Sequence, residues 1–254
     1  MALDNSSMSG TSILEERVTI FEDILADLIS EYDEKRIADA FCSEADIRMH
    51  LAHKLLGKLP FADVHAELPI PLDIKKFDAE LLMKGRIRSR NCVKADIAII
   101  DSENSCPQII ADLKFTPLYW GFKYLLMVPR GNHKETKRIV AAAISRDLDS
   151  LQRKRSEKPS QKKVEDTYFG PHKNGPTTVE KMIQIINRFK TEQQKDVRGY
   201  LIVFDEIYPN VEDILNEAID HYDPPDTFKI ISEYRGLTEV LQDTLKELTA
   251  NTNG

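Results

Sequence analysis

Two acidic residues and a lysine lie in two short apolar runs near the middle of the chain. The runs are VKADIAII and PQIIADLKF, and the three residues are Asp96, Asp112 and Lys114. Because strand side chains alternate between faces, Asp112 and Lys114 share one face of the second run. The face of the first run opposite Asp96 is predicted to be wholly apolar, with Val93, Ala95, Ile97 and Ile99. Two carboxylates and a lysine on one sheet face are groups that can hold Mg²⁺ and hydrolyse a phosphate ester.

A short polar segment, DSENSCP, separates the two runs and predicts a β-hairpin. A symmetric loop centred on Asn104 sets Asp96 opposite Asp112, with Cβ atoms about 5 Å apart. Like charges that face each other destabilise a sheet unless a proton, a cationic partner or a metal ion offsets them. The alternative is an ordinary hairpin whose solvated face carries these residues by chance. The neighbouring segments therefore have to decide between the two interpretations.

Two more acidic residues lie upstream of the hairpin. The segment from Ile37 to Leu59 has a helical period, and Glu44 falls within its apolar stripe. A core-facing glutamate without a function is uncommon, although the edge of such a stripe is often solvated. The run ADVHAELPI follows, alternates as a strand does and carries Glu67. A helix and a strand thus each bring a carboxylate ahead of the hairpin.

The remaining segments predict an alternation of helices and strands. Amphipathic helices are expected from about Ser12 to Glu31 and at 135–157. Helix 178–190, strand 197–207, helix 211–222, strand 228–234 and a final helix LTEVLQDTLKEL follow. The segment KPSQKKVEDTYFGPHKNGPTT is expected to be a mobile loop. This order is typical of an α/β protein with a mixed sheet flanked by helices.

The order of these residues resembles the PD-(D/E)XK nuclease superfamily, which is restriction-endonuclease-like. The matching features are the helix with Glu44, the strand with Glu67, the hairpin aspartate Asp96 and the succession Asp112, Leu113 and Lys114. The helix SRDLDSLQRKR and the strand VRGYLIVFDEIY also fit. The resemblance implies a mixed central β-sheet flanked by helices in αβββαβ order, with added N- and C-terminal helices. Ala95 stands where the motif has proline, and Asp112 takes the less common of its two acids.

The resemblance assigns a role to each matching residue. The implied catalytic residues are Glu44, Asp96, Asp112 and Lys114. The implied metal ligands are Asp96, Asp112, Glu67 and the backbone carbonyl of Leu113. The implied cofactor is Mg²⁺, with Mn²⁺ as a substitute, and one or two metal ions would suit the site. The residue types fit this ion, because Mg²⁺ takes a few carboxylate oxygens and completes its octahedron with water and phosphate.

Charge limits the partners of the chain. A net charge of −7 counts against a general polyanion binder, since nucleic-acid affinity depends on the neutralisation of phosphates. Basic residues are nevertheless clustered, and the predicted DNA-binding residues are Arg86, Arg88, Arg90, Lys94, Arg153 and Lys154. The last two end a predicted helix, where a solvated end that complements the helix dipole explains them equally well.

Composition predicts a soluble globular protein. The 254 residues are 41% hydrophobic and 30% charged, which favours a single domain at 11–250, with a core at about 37–235 and a flexible N-terminus at 1–10. We expect no membrane segment and no signal peptide. Three cysteines without CxxC spacing favour a reducing cytoplasm. Members of the superfamily often dimerise, so the resemblance allows a homodimer.

The sequence therefore predicts a Mg²⁺-dependent phosphodiesterase, a nuclease that cleaves DNA. Two alternatives stay open. One is a catalytically silent protein of the same fold that binds DNA or a protein partner. The other is an unrelated α/β interaction protein in which the motif is accidental. Convergence of Asp96, Asp112 and Lys114 in space is required by the first interpretation and not by the last.

Overall fold

The computed structural model of the protein describes residues 10–34, 43–60, 63–77, 92–101, 106–116, 134–170, 175–236 and 238–250. Its α-helices are α1 (Gly10–Glu34), α2 (Glu44–Leu56), α3 (Lys134–Ser156), α4 (Gln161–Val164), α5 (Thr178–Gln193), α6 (Val211–Ile219) and α7 (Thr238–Ala250). Its strands are β1 (Val64–Pro71), β2 (Cys92–Asp101), β3 (Cys106–Thr116), β4 (Arg198–Asp205) and β5 (Phe228–Tyr234). Among the described residues, none of the helices combines the length and apolarity needed to cross a membrane.

The five strands form one mixed sheet in the order β1-β2-β3-β4-β5. Strand β2 runs antiparallel to both β1 and β3, whereas β3, β4 and β5 are parallel to one another. Parallel neighbours need crossover connections, and helices lie between β3 and β4 and between β4 and β5 in the chain. The predicted α/β class, with a mixed sheet flanked by helices, is confirmed.

One face of the sheet is covered by α1 and α2. Phe21, Leu28 and Tyr32 of α1 and Ile47 and Leu51 of α2 are almost completely buried against β2, β3 and β4. Burial of each such side chain stabilises the fold by roughly 1.5–3 kcal/mol. This packing fixes α2 over the hairpin, and α2 is the helix that carries Glu44.

The other face is covered by α4, α5 and α6. A π-helical turn, Glu165–Phe169, continues α4 and buries Tyr168 and Phe169 in this core. Strand β4 approaches α5 so closely that a Cβ at Gly199 would lie 2.3 Å from Cδ1 of Ile186. A larger residue there would force the side chains of Ile186 and Phe228 to shift. The two cores and the sheet between them make three layers.

The segment KPSQKKVEDTYFGPHKNGPTT is not the mobile loop that its composition predicts. Ser160 caps α4 by accepting a hydrogen bond from the backbone N–H of Lys163, at 3.3 Å. Tyr168 and Phe169 then anchor the segment in the core. The two aromatic residues outweigh the polar composition around them, and four residues of the segment, 171–174, lie outside the described ranges.

At Glu67 and Asp96, the regular alternation of side chains between the two faces of the sheet is interrupted in β1 and β2. Ala95 pairs with Leu68, and both pack in the core beneath α5 and α6. Two residues further along β2, Ile97 packs in the core beneath α1 and α2. Glu67 has φ = 57°, a left-handed conformation that residues other than glycine rarely adopt. This kink interrupts the regular alternation of both strands.

The kink corrects one prediction. A single apolar face with Val93, Ala95, Ile97 and Ile99 does not exist, because the first two residues pack in one core and the last two in the other. The reason is the positive φ of Glu67, which redirects β1 and its partner strand at the same level. Asp96 therefore lies at the change of side rather than in the middle of a regular strand face.

Candidate active site

The β2–β3 hairpin brings Asp96 and Asp112 together in the predicted register. The ladder pairs Ile97 with Ala111, the register that was predicted. Next to the loop, Asp101 pairs with Cys106, and a bulge between Ile99 and Ile100 shifts the ladder by one residue into the predicted register. One residue beyond the pair of Ile97 and Ala111, the carboxyl groups of Asp96 and Asp112 are close enough that Asp96 contributes to raising the pKa of Asp112. The facing pair that the sequence predicts is thus present in the structure.

Both carboxylate oxygens of Asp96 have partners. Oδ1 accepts a hydrogen bond from Nη1 of Arg48 at 2.8 Å, and Oδ2 accepts one from the backbone N–H of Leu113 at 2.8 Å. Followed from the loop, the pairing of β2 with β3 ends at Ile97 and does not extend to Asp96. The side chain of Asp96 therefore satisfies a β3 donor that the ladder no longer reaches.

Asp112 is the most buried carboxylate of the site, with 3% of the residue exposed. Nζ of Lys114 lies 2.7 Å from its Oδ2 in an ion pair. Burial, together with the neighbouring Asp96, raises the pKa of Asp112 to about 7, although the charge of Lys114 acts in the opposite direction. The group therefore changes charge near neutral pH, as general acids and bases and some metal ligands do.

Lys114 is a buried cation with two oxygen partners. Besides its ion pair with Asp112, Nζ donates a hydrogen bond to the backbone oxygen of Leu113 at 3.0 Å. Burial alone would lower the pKa of Lys114, but the charges of Asp112 and Glu44 outweigh it and raise that pKa. Lys114 stays protonated at neutral pH, so its ammonium supplies fixed positive charge to the site.

Glu44 reaches the same site from α2. It is the first residue of the helix, because Ser43 is the N-cap and its side chain accepts a hydrogen bond from the backbone N–H of Asp46, at 3.2 Å. The helix was predicted to begin at Ile37, and residues 37–42 lie outside the described ranges. Burial raises the pKa of Glu44 while Lys114 opposes the shift, and the backbone N–H of Phe115 donates to its carboxylate.

Glu44 and Asp96 use β3 in the same way. Each accepts a backbone N–H of β3, from Phe115 and from Leu113 respectively, beyond the point where the ladder with β2 ends. Two carboxylates are thereby fixed beside Lys114 by the backbone. Such positioning is rigid, because unpaired strand donors are costly to leave without an acceptor.

Glu67 lies on the solvent side of the site. Its Oε1 is 3.1 Å from Nη2 of Arg48 and 2.9 Å from Nζ of Lys94. The hydrogen bond from Lys94, with the charges of Arg48 and Lys94, lowers the pKa of Glu67, which is therefore ionised at neutral pH. Glu67 reaches Asp96 only through the shared guanidinium of Arg48.

Arg48 is the site residue that the sequence reasoning missed. It lies one helical turn after Glu44, on the same side of α2, and bridges Asp96 and Glu67. The spacing of a glutamate and an arginine four residues apart on a predicted helix is a signal, but a common one. The contact of the guanidinium with strand carboxylates is apparent only in the structure, where β1 is kinked at Glu67.

Two further acidic residues, Asp205 and Glu206, are buried. Asp205 is the last residue of β4, and Glu206 begins the turn that follows it. Asp205 accepts hydrogen bonds from the backbone N–H groups of Ile207 and Tyr208, each at 2.6 Å, and from the hydroxyl of Tyr168. Glu206 accepts one from the hydroxyl of Tyr32 at 3.3 Å. These contacts give both acids a structural role at the carboxyl end of the sheet.

The predicted DNA-binding residues fall into two groups. Arg86, Arg88 and Arg90 lie outside the described residues. Lys94, Arg153 and Lys154 lie within them and are exposed.

The neighbouring Arg155 is structural. It donates to the carbonyl of Ile207 at 2.7 Å, to Thr238 at 2.8 Å and to the hydroxyl of Tyr234. These bonds hold the end of α3 against the carboxyl ends of β4 and β5.

The oxygen donors of the site suit a magnesium ion. Within the described ranges, no group of three or more His, Cys, Asp or Glu side chains is gathered as a ready metal site. Mg²⁺ usually binds through one or two carboxylates and keeps several waters. Asp112 and Asp96 offer that number, and Oδ2 of Asp112 and the oxygen of Leu113 converge on one cation, Nζ of Lys114. The donor set therefore fits the ion in type.

Comparison of the chain with models of protein families, with curated proteins and with solved structures found no match.

Proposed function

We propose that this protein is a Mg²⁺-dependent phosphodiesterase that cleaves DNA, built on a restriction-endonuclease-like core. The observation that supports it most is the convergence of Asp96, Asp112 and Lys114 on adjacent strands, in the register that the motif requires. A buried carboxylate pair next to a lysine destabilises a fold. A catalytic function explains why such an arrangement is present.

The order of elements supports the core assignment. Helix α2, strands β1 to β3, a helical segment and then β4 follow one another as αβββαβ. The helix α1 before this series and the elements after β4 are additions to it. Glu44 opens the helix of the series, and Asp112 and Lys114 lie on its third strand, as the resemblance implies.

The charge of the site favours a phosphodiester once a divalent cation is present. Four acidic groups face three basic groups, namely Glu44, Glu67, Asp96 and Asp112 against Arg48, Lys94 and Lys114. With all seven ionised, the net charge is −1, which repels a phosphate. A bound Mg²⁺ would bring it to +1 and match the single negative charge of a phosphodiester.

The chain's own residues divide the remaining work. Asp96, Asp112 and the carbonyl of Leu113 would hold Mg²⁺, which lowers the pKa of water and offsets charge on the phosphate when bound. Lys114 holds an ammonium within reach of Asp112 and stabilises negative charge that develops on the phosphate oxygens. Glu44, whose pKa is raised by burial, lies beside Lys114 and can accept or return a proton.

DNA would reach the site across the carboxyl ends of the parallel strands. Arg155 fixes the end of α3 at that edge, and the exposed Arg153 and Lys154 directly precede it in the helix. Phosphate contacts by such residues supply affinity without sequence preference. In the same proposal the enzyme acts in a reducing cytoplasm, where its thiols Cys92 and Cys106 stay free.

A catalytically silent protein that binds DNA or a protein partner is the second candidate. One observation favours it. Both oxygens of Asp96 are already partnered by Arg48 and Leu113, so the chain satisfies this carboxylate by itself. Such a protein would bind DNA with an affinity that does not depend on Asp112.

The test is cleavage of linear, circular, single-stranded and branched DNA in Mg²⁺, in Mn²⁺ and in a chelator. We expect the wild type to cleave at least one substrate with either metal. Lys114→Ala and Asp112→Asn should each lower the rate by about 100-fold or more. Lys229→Ala is the matched control, because Lys229 is a strand lysine whose ion pair joins it to Glu22 of α1.

Three outcomes separate the candidates. Loss of cleavage in both site variants, with the control unaffected and circular dichroism unchanged, supports the nuclease. DNA binding by the wild type without any cleavage supports the silent protein. Cleavage that persists in Lys114→Ala contradicts the assigned site.

A further inference from the structure

Arg48 forms an ion pair with the carboxylate that the proposed function assigns to a metal ion. Its Nη1 lies 2.8 Å from Oδ1 of Asp96, and its Nη2 lies 3.1 Å from Oε1 of Glu67. The side chain of Arg48 is 17% exposed and that of Asp96 is 10% exposed. A charge-assisted hydrogen bond in so sheltered a position is stronger than an ion pair on the surface.

The geometry leaves little room for a second cation on Asp96. Its Oδ2 accepts a hydrogen bond from the backbone N–H of Leu113. The ladder with β2 ends before this point, so no other acceptor among the described residues is placed to take over this N–H. Oδ1 lies 2.8 Å from Nη1 of Arg48, so a metal ion on that oxygen would lie next to the guanidinium. The two positive charges repel each other at such a distance.

We infer that Arg48 and a divalent cation compete for Oδ1 of Asp96, so that Arg48 must leave this carboxylate for the metal ion to bind there. The inference rests on the proposed function, since it concerns the same metal site. Arg48 acts as an internal cation that keeps the carboxylates neutralised. The metal ion must therefore exceed a threshold concentration before it displaces Arg48 from Asp96.

Arg48 differs in this respect from the two lysines of the site. Lys94 contacts Glu67 alone, at 2.9 Å, and its side chain is 60% exposed. Lys114 contacts Asp112 and the Leu113 carbonyl and has its own catalytic assignment. Of these three basic residues, Arg48 is the one that forms an ion pair with Asp96 in the described part of the chain.

Removal of Arg48 should tighten metal binding. Loss of one charge-assisted hydrogen bond corresponds to about a ten- to hundredfold change in affinity. We expect Mn²⁺, titrated calorimetrically without DNA, to bind Arg48→Ala at least about tenfold more tightly than wild type. Arg48→Gln keeps the size of the side chain and removes its charge, so it should bind Mn²⁺ more tightly as well and serves if the alanine variant does not fold.

Lys94→Ala is the control for net charge. It removes one positive charge from the same site without freeing Asp96, so it should change the Mn²⁺ affinity by no more than about twofold at 0.15 M salt. An increase as large as that of Arg48→Gln would overturn the inference, because general electrostatics would then explain both. Asp112→Asn reports whether the binding observed belongs to this site.

The possible results separate the inference from the proposed function. Mn²⁺ binding that depends on Asp112 and is unchanged in both Arg48 variants overturns the inference and leaves the nuclease proposal standing. Absence of Asp112-dependent binding in wild type and in both variants overturns the two together. Binding that appears only in the Arg48 variants supports the inference and contradicts a metal-dependent activity of the wild type.

Discussion

The site residues form a chain of alternating charges that runs from α2 across β3 to β1. Lys114 lies between Glu44 and Asp112, and Arg48 lies between Asp96 and Glu67. The least favourable member is Asp112, because its carboxyl group is buried beside a second carboxylate. The ionised form of Asp112, which the proposed function uses to hold a metal ion, therefore lowers the stability of the fold.

This conflict predicts how stability changes with pH. Because the folded pKa of Asp112, about 7, lies above its unfolded value, the group destabilises the fold increasingly as the pH rises from about 4 to 7. We expect Asp112→Asn to stabilise the protein in the absence of divalent cations. The gain at pH 8 should exceed the gain at pH 5 by about 2 kcal/mol.

Urea unfolding at both pH values measures this difference. Asp243→Asn is the control, since Asp243 is exposed on α7 and forms a surface ion pair with Lys246. The control should stay within about 0.5 kcal/mol of wild type at both pH values. A gain of Asp112→Asn that is equal at pH 5 and pH 8 would show that Asp112 is ionised in the folded protein throughout this range.

Most residues of the site follow from residue types and spacing. The short loop predicts the antiparallel hairpin, and period-2 alternation puts Lys114 on the same face as Asp112. The register that sets Asp96 beside Asp112 also depends on a bulge between Ile99 and Ile100, which the sequence did not predict. Arg48 did not follow, because its partners lie on strands whose position depends on tertiary packing. An arginine and a carboxylate that are far apart in the chain produce no local sequence pattern.

At the scale of elements, the kink of β1 and β2 has the largest consequence for the site. It frees the β3 backbone beyond Ala111, and Glu44 and Asp96 then accept the N–H groups of Phe115 and Leu113. The sequence predicts the sheet and most helix boundaries, because apolar periodicity determines them. It did not predict the kink, since a left-handed glutamate carries no local signal of the kind that glycine gives.

Helix α3 packs on α7 through an apolar cluster that includes Ile144 and Leu241, and Arg155 adds polar contacts at its end. Arg155 donates to the carbonyl of Ile207, to Thr238 and to the hydroxyl of Tyr234, so it joins α3, α7 and the ends of β4 and β5. We expect Arg155→Ala to lower the free energy of unfolding by about 2 to 4 kcal/mol, because several partners lose their donor. The neighbouring Arg153→Ala should change it by less than about 0.5 kcal/mol. Thermal and urea unfolding of the two variants measure the difference, and equal stabilities would contradict this structural role.

At the scale of the molecule, a net charge of −7 means that the proposed DNA binding requires a local concentration of basic residues. The end of α3 offers one at the carboxyl edge of the sheet. If Arg153 and Lys154 contact phosphates, their double replacement by alanine should reduce the slope of log affinity against log salt by about 1 to 2.

Fluorescence anisotropy with labelled duplex DNA over a series of KCl concentrations measures this slope. The matched control is the double replacement of Lys137 and Arg138 by alanine, which removes the same charge from the opposite end of α3. The control should leave the slope unchanged. Equal slopes in wild type and in the Arg153 and Lys154 variant would place the DNA elsewhere on the surface.

The central claim is that Asp96, Asp112 and the carbonyl of Leu113 hold the catalytic metal ion. A crystal of the wild type soaked in Mn²⁺, with anomalous diffraction recorded at the manganese edge, tests it most directly. We predict an anomalous peak at about 2.1 Å from oxygen atoms of these residues, with the guanidinium of Arg48 displaced from Asp96. A map without a peak there, at an Mn²⁺ concentration that supports cleavage in solution, would contradict the claim.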